Sequence, residues 1–186
     1  MKKLSNNFLI PMPHVNDPIF KQSLIYVCSH DNDGAMGLII NKPISDSKLK
    51  EEADSILKET HLHQISPKPN VYFGGPVDLN MGIILHPLDY ISKKTIKISK
   101  HIGVTSDSKI LKDIVTGNGP SMFRLSIGYA GWSNGQLEDE FENGDWLIAP
   151  SNPEIIFNMP DEKKWNYINN KLGIDINQFS GHGGFA

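Results

Sequence analysis

One cysteine, Cys28, is all that this sequence has. It cannot pair within the chain, which excludes an internal disulfide and predicts a reducing compartment. Long apolar runs are missing too, and none approaches the length of a membrane-spanning helix. Phe8-Leu-Ile10 is cut off by Pro11 and Pro13, so the start is not read as a secretory leader. Charge of one sign is also scarce. A formal net charge of −3 and a pI near 6.1 give no overall field toward nucleic acid or an anionic membrane. Together these absences predict a cytoplasmic soluble protein with no membrane partner.

What is present suffices for one core. Of 186 residues, 39% are apolar and 21% charged, an ordinary mixture for a single domain. The ordered part is expected over about 6–176, with a loose tail at 177–186 whose glycines follow Ser180.

Strands are predicted at Phe8–Met12, Leu24–Ser29 and Ala35–Ile40. The last two flank the polar turn His30-Asp-Asn-Asp-Gly34 and read as a hairpin buried on both faces. Asp46–Lys58 changes to helical period, with Leu49, Ala53, Ile56 and Leu57 on one face. The proline-containing stretch His61–Asn70 reads as a flexible loop. Further strands are expected at Val71–Phe73, Met81–His86, Thr95–Ser99, Phe123–Tyr129 and Asp145–Ala149. Helices are expected at Ser106–Thr116, Gln136–Glu142, Pro153–Asn158 and Pro160–Leu172, the last with Trp165, Ile168 and Leu172 inward. Consecutive strands precede most helices, which predicts an α+β fold rather than regular βαβ winding.

Gly131-Trp-Ser-Asn-Gly135 matches the G-x-S-x-G pattern of a nucleophile elbow between a strand and a helix. Asp145 or Asp161, followed by His182, would complete a hydrolase order. Against this stand the short chain, the antiparallel strands and the glycine-rich setting of His182. A structural reading covers the same residues: Ser133 caps the helix, with Gln136 completing a capping box. Glu138, Asp139, Glu140 and Glu142 would repel a phosphate at that turn, and no lysine sits at a Walker position. His30, Asp31 and Asp33 lack the spacing and late glutamate of a calcium loop. His61-Leu-His63 lacks the helical or cysteine partners of a zinc site. Cys28 reads as an inert core thiol. Lys93, Lys94, Lys97, Lys100 and His101 form a basic stripe, but without a DNA-reading motif they argue for a solvated face. No metal and no cofactor are expected.

Several runs taken together are more specific than any one of them. Asn7-Phe-Leu-Ile-Pro-Met-Pro13, Asp17-Pro-Ile-Phe-Lys-Gln-Ser23, Asp33-Gly-Ala-Met-Gly-Leu-Ile-Ile-Asn-Lys-Pro43, Gly74-Gly-Pro76 and Gly128-Tyr-Ala-Gly-Trp132 occur in order. Gly135-Gln-Leu-Glu138, Trp146-Leu-Ile-Ala-Pro150 and Leu172-Gly-Ile-Asp175 follow. In this combination the chain resembles the bacterial AlgH/YqgE family from about residue 6 to residue 182. The resemblance implies one α+β domain with a mixed, barrel-like sheet flanked by helices. It implies no established activity, although some members carry a transcriptional-regulator label. It also weakens the serine reading, since the family pattern holds Gly131, Trp132 and Gly135 but not the hydroxyl.

The expectation is therefore a binding or regulatory protein without catalysis, with an unknown protein or small-molecule partner and no direct DNA contact. Its surface would form where His30–Pro43 approaches Tyr129–Gln136, with Tyr129 and Trp132 as aromatic anchors. Candidate residues are His30, Asn41, His86, Tyr129, Trp132 and Gln136. The alternative is a small hydrolase using Ser133, or chemistry at Cys28, His30 or His86.

Overall fold

The computed structural model describes residues 3–45 and 47–174. Its first three strands are β1 (Asn7–Pro11), β2 (Ile25–Asp31) and β3 (Gly34–Ile39). β2 and β3 pair antiparallel around Asn32-Asp33, the hairpin that the apolar runs predicted. Their side chains have no polar face because both sheet faces are covered. Phe8 and Ile10 of β1 enter one core cluster, whereas Leu9 between them enters another.

Helix α1 (Ser47–Glu59) follows, burying Ala53 and Leu57 as its period demands. The stretch expected to be a flexible loop instead holds a 3-10 turn, Leu62–Gln64, with Leu62 buried. A ring nitrogen of His63 meets the Leu57 carbonyl at 3.0 Å, serving the end of α1 rather than a metal. β4 (Val71–Phe73), β5 (Val77–Pro87), β6 (Ile96–Lys97) and β7 (Ile102–Thr105) come next, then α2 (Ser108–Val115) capped by Asp107. The strand expected over Thr95–Ser99 shrinks to two residues, because only Ile96 and Lys97 pair with β7. β7 itself lacks a clear alternation, since all four of its residues are buried. The chain closes with β8 (Arg124–Ser133), α3 (Gln136–Glu142), β9 (Trp146–Pro150), α4 (Pro153–Phe157) and α5 (Asp161–Lys171).

The strands join in the order β6-β7-β5-β8-β3-β2-β1-β9, with β4 added to β8. Among the described residues all strand pairings are antiparallel except β4 with β8, and this α+β domain is a curled half-barrel with five helices. Its first core lies between the sheet and α4–α5, around Phe8, Tyr26, Leu38, Leu85, Ile156 and Ile168. A second lies under α3, around Ile25, Ile39, Trp132, Leu137 and Trp146. The third lies under α1 and α2, around Ala53, Leu57, Ile110, Leu125 and Ile127.

β8 is the hub. Its first half pairs with both β4 and β5, and its last four residues pair with β3. Gly74-Gly-Pro76 therefore has to carry the chain from β4, on one edge of β8, across to β5 on the other. The crossing is backbone on backbone. A Cβ at Gly75 would sit 2.1 Å from the Tyr129 carbonyl carbon, and one at Gly128 would sit 2.3 Å from the Gly75 carbonyl oxygen. Gly128 also has a φ of 67°, bending β8 where the strap passes.

Candidate functional site

Ser133 lies in β8, not at a helix cap. The cap of α3 is Gly135, in the left-handed region, with no side-chain cap bond. Gln136 reaches back instead, its Oε1 accepting the Ser133 N–H at 3.0 Å and the Ser133 hydroxyl at 3.1 Å. The expected capping box is therefore not formed: with Gly135 as the cap, Gln136 is the first helical residue and ties the helix start to the end of β8. The Ser133 hydroxyl is thus engaged by an amide, not by a base. His182 lies outside the described residues. Ser133→Ala should leave hydrolysis of generic esters by the purified protein at the buffer background, the same as the parent protein.

Beyond the cap, α3 is fastened to the sheet by two carboxylates. Glu140 Oε2 accepts both indole N–H groups, Trp132 at 2.8 Å and Trp146 at 2.7 Å, and Gln136 donates to its Oε1 at 2.9 Å. The two indoles meet edge to face with centroids 5.9 Å apart. Glu138 Oε1 lies 2.9 Å from His30 Nε2. The Leu4 N–H donates to His30 Nδ1, so Nε2 carries the proton and donates to Glu138. Burial pushes the Glu138 carboxyl up, but bonds from its own backbone N–H and from His30 outweigh it, and the group rests below its usual range.

The acidic run that argued against phosphate therefore has a structural task. Glu140→Ala removes an acceptor shared by two buried indoles and should lower stability by about 2–3 kcal/mol, measured by urea unfolding. Glu142→Ala, on the exposed side of the same helix, should change it by less than about 0.5 kcal/mol.

Of the six residues singled out from sequence, His30, Trp132 and Gln136 meet in this α3 network. Trp132 is only 6% exposed with its N–H engaged, so it packs the core and presents little aromatic surface. Tyr129, half-buried, turns to the opposite sheet face with Met36. His86 lies apart on β5, buried, with Nδ1 donating to the Pro87 carbonyl at 2.8 Å, which leaves Nε2 to accept from the Thr105 hydroxyl at 2.9 Å. Burial lowers its pKa, so this tautomer stays neutral. Asn41 sits past the other end of β3, where its Oδ1 accepts the Leu24 N–H and its amide donates to the Gln22 carbonyl. Cys28 is buried and its thiol is pushed far up by desolvation, which removes it as a nucleophile. Among the described residues no group of three or more His, Cys, Asp or Glu side chains is placed to hold a metal ion. No helix among them is long and apolar enough to cross a membrane.

The two turns that sequence singled out do converge. Gly34 pairs with Ser133, Ala35 with Trp132 and Met36 with Gly131. Beside this pairing opens a groove of about 550 Å³, lined by Ser29, Asp31, Met36, Met81, Tyr129 and Gly131 among others. Among the described residues, Asp31 and Asp33 are the only charged ones that line it. Gly131 leaves its floor clear: a Cβ there would meet the Tyr129 ring at 3.2 Å and Val77 at 3.5 Å.

A feature that sequence reading missed is a buried ion cluster. Arg124, the only arginine of the chain, donates to the carbonyls of Ile156 and Ile40 and to Asp161 Oδ1. Its guanidinium stacks 4.3 Å from the Tyr72 ring centroid. The Tyr72 hydroxyl donates to Asp161 Oδ2 at 3.0 Å, and Lys164, wholly buried, donates to Asp161 Oδ1. The available signals were the solitary arginine in an apolar strand and the Asp161–Lys164 spacing of one helical turn.

A family model described as AlgH-like matches residues 8–177. The chain belongs to the AlgH-like family. A protein of the UPF0301 group from Marinomonas sp. (strain MWYL1) is 40% identical over 181 residues, covering 96% of this chain and 95% of that one. A UPF0301 protein of Pseudoalteromonas translucida is 39% identical, with both chains covered in full. Among solved structures, the AlgH protein from Pseudomonas aeruginosa, determined in solution, is similar with a TM-score of 0.75 and 33% identity, over 100% of this chain and 97% of that one. A crystal structure of a Corynebacterium diphtheriae protein shares the fold, with a TM-score of 0.72 at 18% identity over 97% of this chain and 93% of that one. The strap of Gly74–Pro76, the Gly128–Trp132 segment and the Gly135–Glu138 helix start, on which the resemblance was read from sequence, all have structural tasks in this chain.

Proposed function

We propose that this AlgH-like protein is a cytoplasmic, non-catalytic binding protein. Its partner sits in the groove between the β2–β3 turn and the end of β8. The observation that carries this reading is the groove floor at Gly131. Two segments distant in the chain, Gly34–Gly37 and Ala130–Ser133, meet there, yet the space above them is left unfilled. The hydroxyl, thiol and imidazoles that chemistry could use are engaged or buried elsewhere. A regulatory role then runs through the bound partner, with no direct contact between this protein and DNA.

Gly131→Leu is the test, because Gly131 has ordinary backbone angles and the neighbour of a new side chain is the movable Tyr129 ring. In a screen of peptides and small molecules against the purified protein, ligands should lose at least about tenfold affinity for the variant, on the order of 1.4 kcal/mol or more. Ligands that bind parent and variant equally contradict the reading.

A further inference from the structure

The groove has a backbone wall as well as side chains. Along an antiparallel strand, residues two apart turn their N–H and C=O groups to the same edge. Tyr129 faces Val77 on the outer edge of β8, and the Ser133 N–H turns to Gln136 rather than to β3. Gly131, midway between them, therefore presents its N–H and C=O to that same outer edge. β5 does not reach that point: it begins at Val77, opposite Tyr129, and runs from there toward Arg124, its register break to Gly82 opposite Ile127 lying on the far side of Tyr129 from Gly131. Among the described residues no strand pairs with the outer edge of Gly131–Ser133.

This open edge adjoins the groove, whose apolar surface comes largely from Met36, Val77, Met81 and Tyr129 and whose only charges among the described residues are the carboxylates of Asp31 and Asp33. Asp31 lies at the exposed end of β2, and its Oδ1 already accepts the Asp33 N–H at 2.9 Å, which holds the turn that presents both carboxylates. An extended chain adding a strand at Gly131 would direct alternate side chains into the groove, where an apolar residue meets Met36 and Tyr129 and a lysine or arginine meets the two aspartates. Main-chain bonds would give affinity and the alternate side chains specificity.

We infer that the partner of this groove is an extended basic-apolar peptide segment that adds a strand to the free edge of β8 at Gly131, with its cationic side chain held by Asp31 and Asp33. The inference rests on the groove reading and specifies its occupant.

The experiment uses the full chain and three synthetic probes of equal length: alternating valine and lysine, alternating valine and glutamate, and the valine–lysine peptide N-methylated on alternate residues. Calorimetry and amide shift mapping follow each one. The valine–lysine peptide should bind and shift Gly34, Met36 and Gly131. Its affinity should fall at least tenfold on N-methylation, which blocks the ladder, and at least tenfold in Asp31→Lys/Asp33→Lys. Both changes lie at an exposed turn, and circular dichroism confirms the fold of the variant. A glutamate peptide or an N-methylated peptide that binds the groove as well as the first probe overturns the strand-addition inference while leaving the groove reading intact. Valine–lysine binding that shifts other residues, self-association of the chain through this edge, or no binding of that probe overturns the inference as well. The groove reading itself falls when the wider screen against Gly131→Leu finds no ligand sensitive to the change.

Discussion

Gly75→Ala should abolish the cooperative fold, with a loss of at least about 4 kcal/mol, and Gly128→Ala should do nearly the same. Both positions lie where the Gly74–Pro76 strap crosses β8. At Gly75 a methyl group would overlap the Tyr129 carbonyl carbon and the Ala130 nitrogen at 2.1 and 2.3 Å. At Gly128 it would meet the Gly75 oxygen at 2.3 Å, with Leu79 also within 2.9 Å. Main chain cannot swing aside like the end of a side chain, so relief requires parting β4 from β8 or β5 from β8. Positive φ adds its own cost at both sites, 152° at Gly75 and 67° at Gly128. Gly144→Ala separates the two effects. Gly144 has a φ of 77° but nothing within 4 Å of a new Cβ, so alanine there carries conformational strain alone, about 1–2 kcal/mol. Urea unfolding followed by circular dichroism measures all three. Equal, small losses at all three positions would mean that the strap yields and that the crossing is not the constraint.

The second large effect lies in the buried ion cluster, where two partners should respond with opposite signs. Asp161→Ala leaves Arg124 and Lys164 buried without their shared counter-charge and the Tyr72 hydroxyl without its acceptor, and should cost about 3–5 kcal/mol. Lys164→Met should instead stabilise the protein at pH 7 by about 1–3 kcal/mol. Burial pushes the Lys164 ammonium down to about 8, with the Arg124 charge adding to the effect and Asp161 opposing it. Keeping it charged at pH 7 therefore costs on the order of 3 kcal/mol, at about 1.4 kcal/mol per pKa unit. Asp161 retains Arg124 and Tyr72 when the lysine is gone. Its carboxyl is pushed up by burial but held below the usual range by Lys164, Arg124 and Tyr72 together.

The pH dependence has a definite sign. Lys164 is depressed in the folded state, so between pH 8 and the unfolded value near 10.5 the unfolded chain binds more protons. Its contribution to stability rises with pH across that window as the penalty is lifted. The advantage of Lys164→Met over the parent should therefore shrink from pH 8 upward and level off above about 10.5. Paired urea titrations at pH 7, 9 and 10.5 check this. A methionine variant that is less stable than the parent at pH 7 would show that the ammonium contributes a net gain.

Local elements were legible in the sequence where one force decided them. The β2–β3 hairpin follows from two apolar runs around Asn32-Asp33, and α1 from the spacing of Ala53 and Leu57. What escaped was set by partners distant in sequence. Nothing near Gly75 says that its neighbour in space is Tyr129, because the contact exists only once β4 and β5 lie on opposite edges of β8. Period alone placed Trp165, Ile168 and Leu172 inward on α5. Ile168 is buried, but Lys164 takes the adjacent inward place, since Arg124 and Asp161 make a polar end to that core, and Leu172, just past the end of α5, is 37% exposed. Ser133 carried the pattern of a nucleophile, and only the geometry of Gln136 shows its hydroxyl bonded to an amide.

The candidate surface was legible in a similar way. Motif turns at His30–Pro43 and Tyr129–Gln136 pointed to a meeting place, and the register of β3 on β8 brings them side by side. Their individual roles were hidden. Trp132 and His30 look like ligand contacts in sequence, yet Glu140 and Glu138 fasten them to α3. Gly131, silent as a side chain, leaves the floor of the groove clear.

Backbone amide mapping of the full chain against the tightest ligand from the peptide and small-molecule screen tests the groove most directly. The account predicts perturbations centred on Ser29, Met36, Tyr129 and Gly131, lost in Gly131→Leu. Perturbations centred instead on the basic edge Lys93–His101 would contradict it.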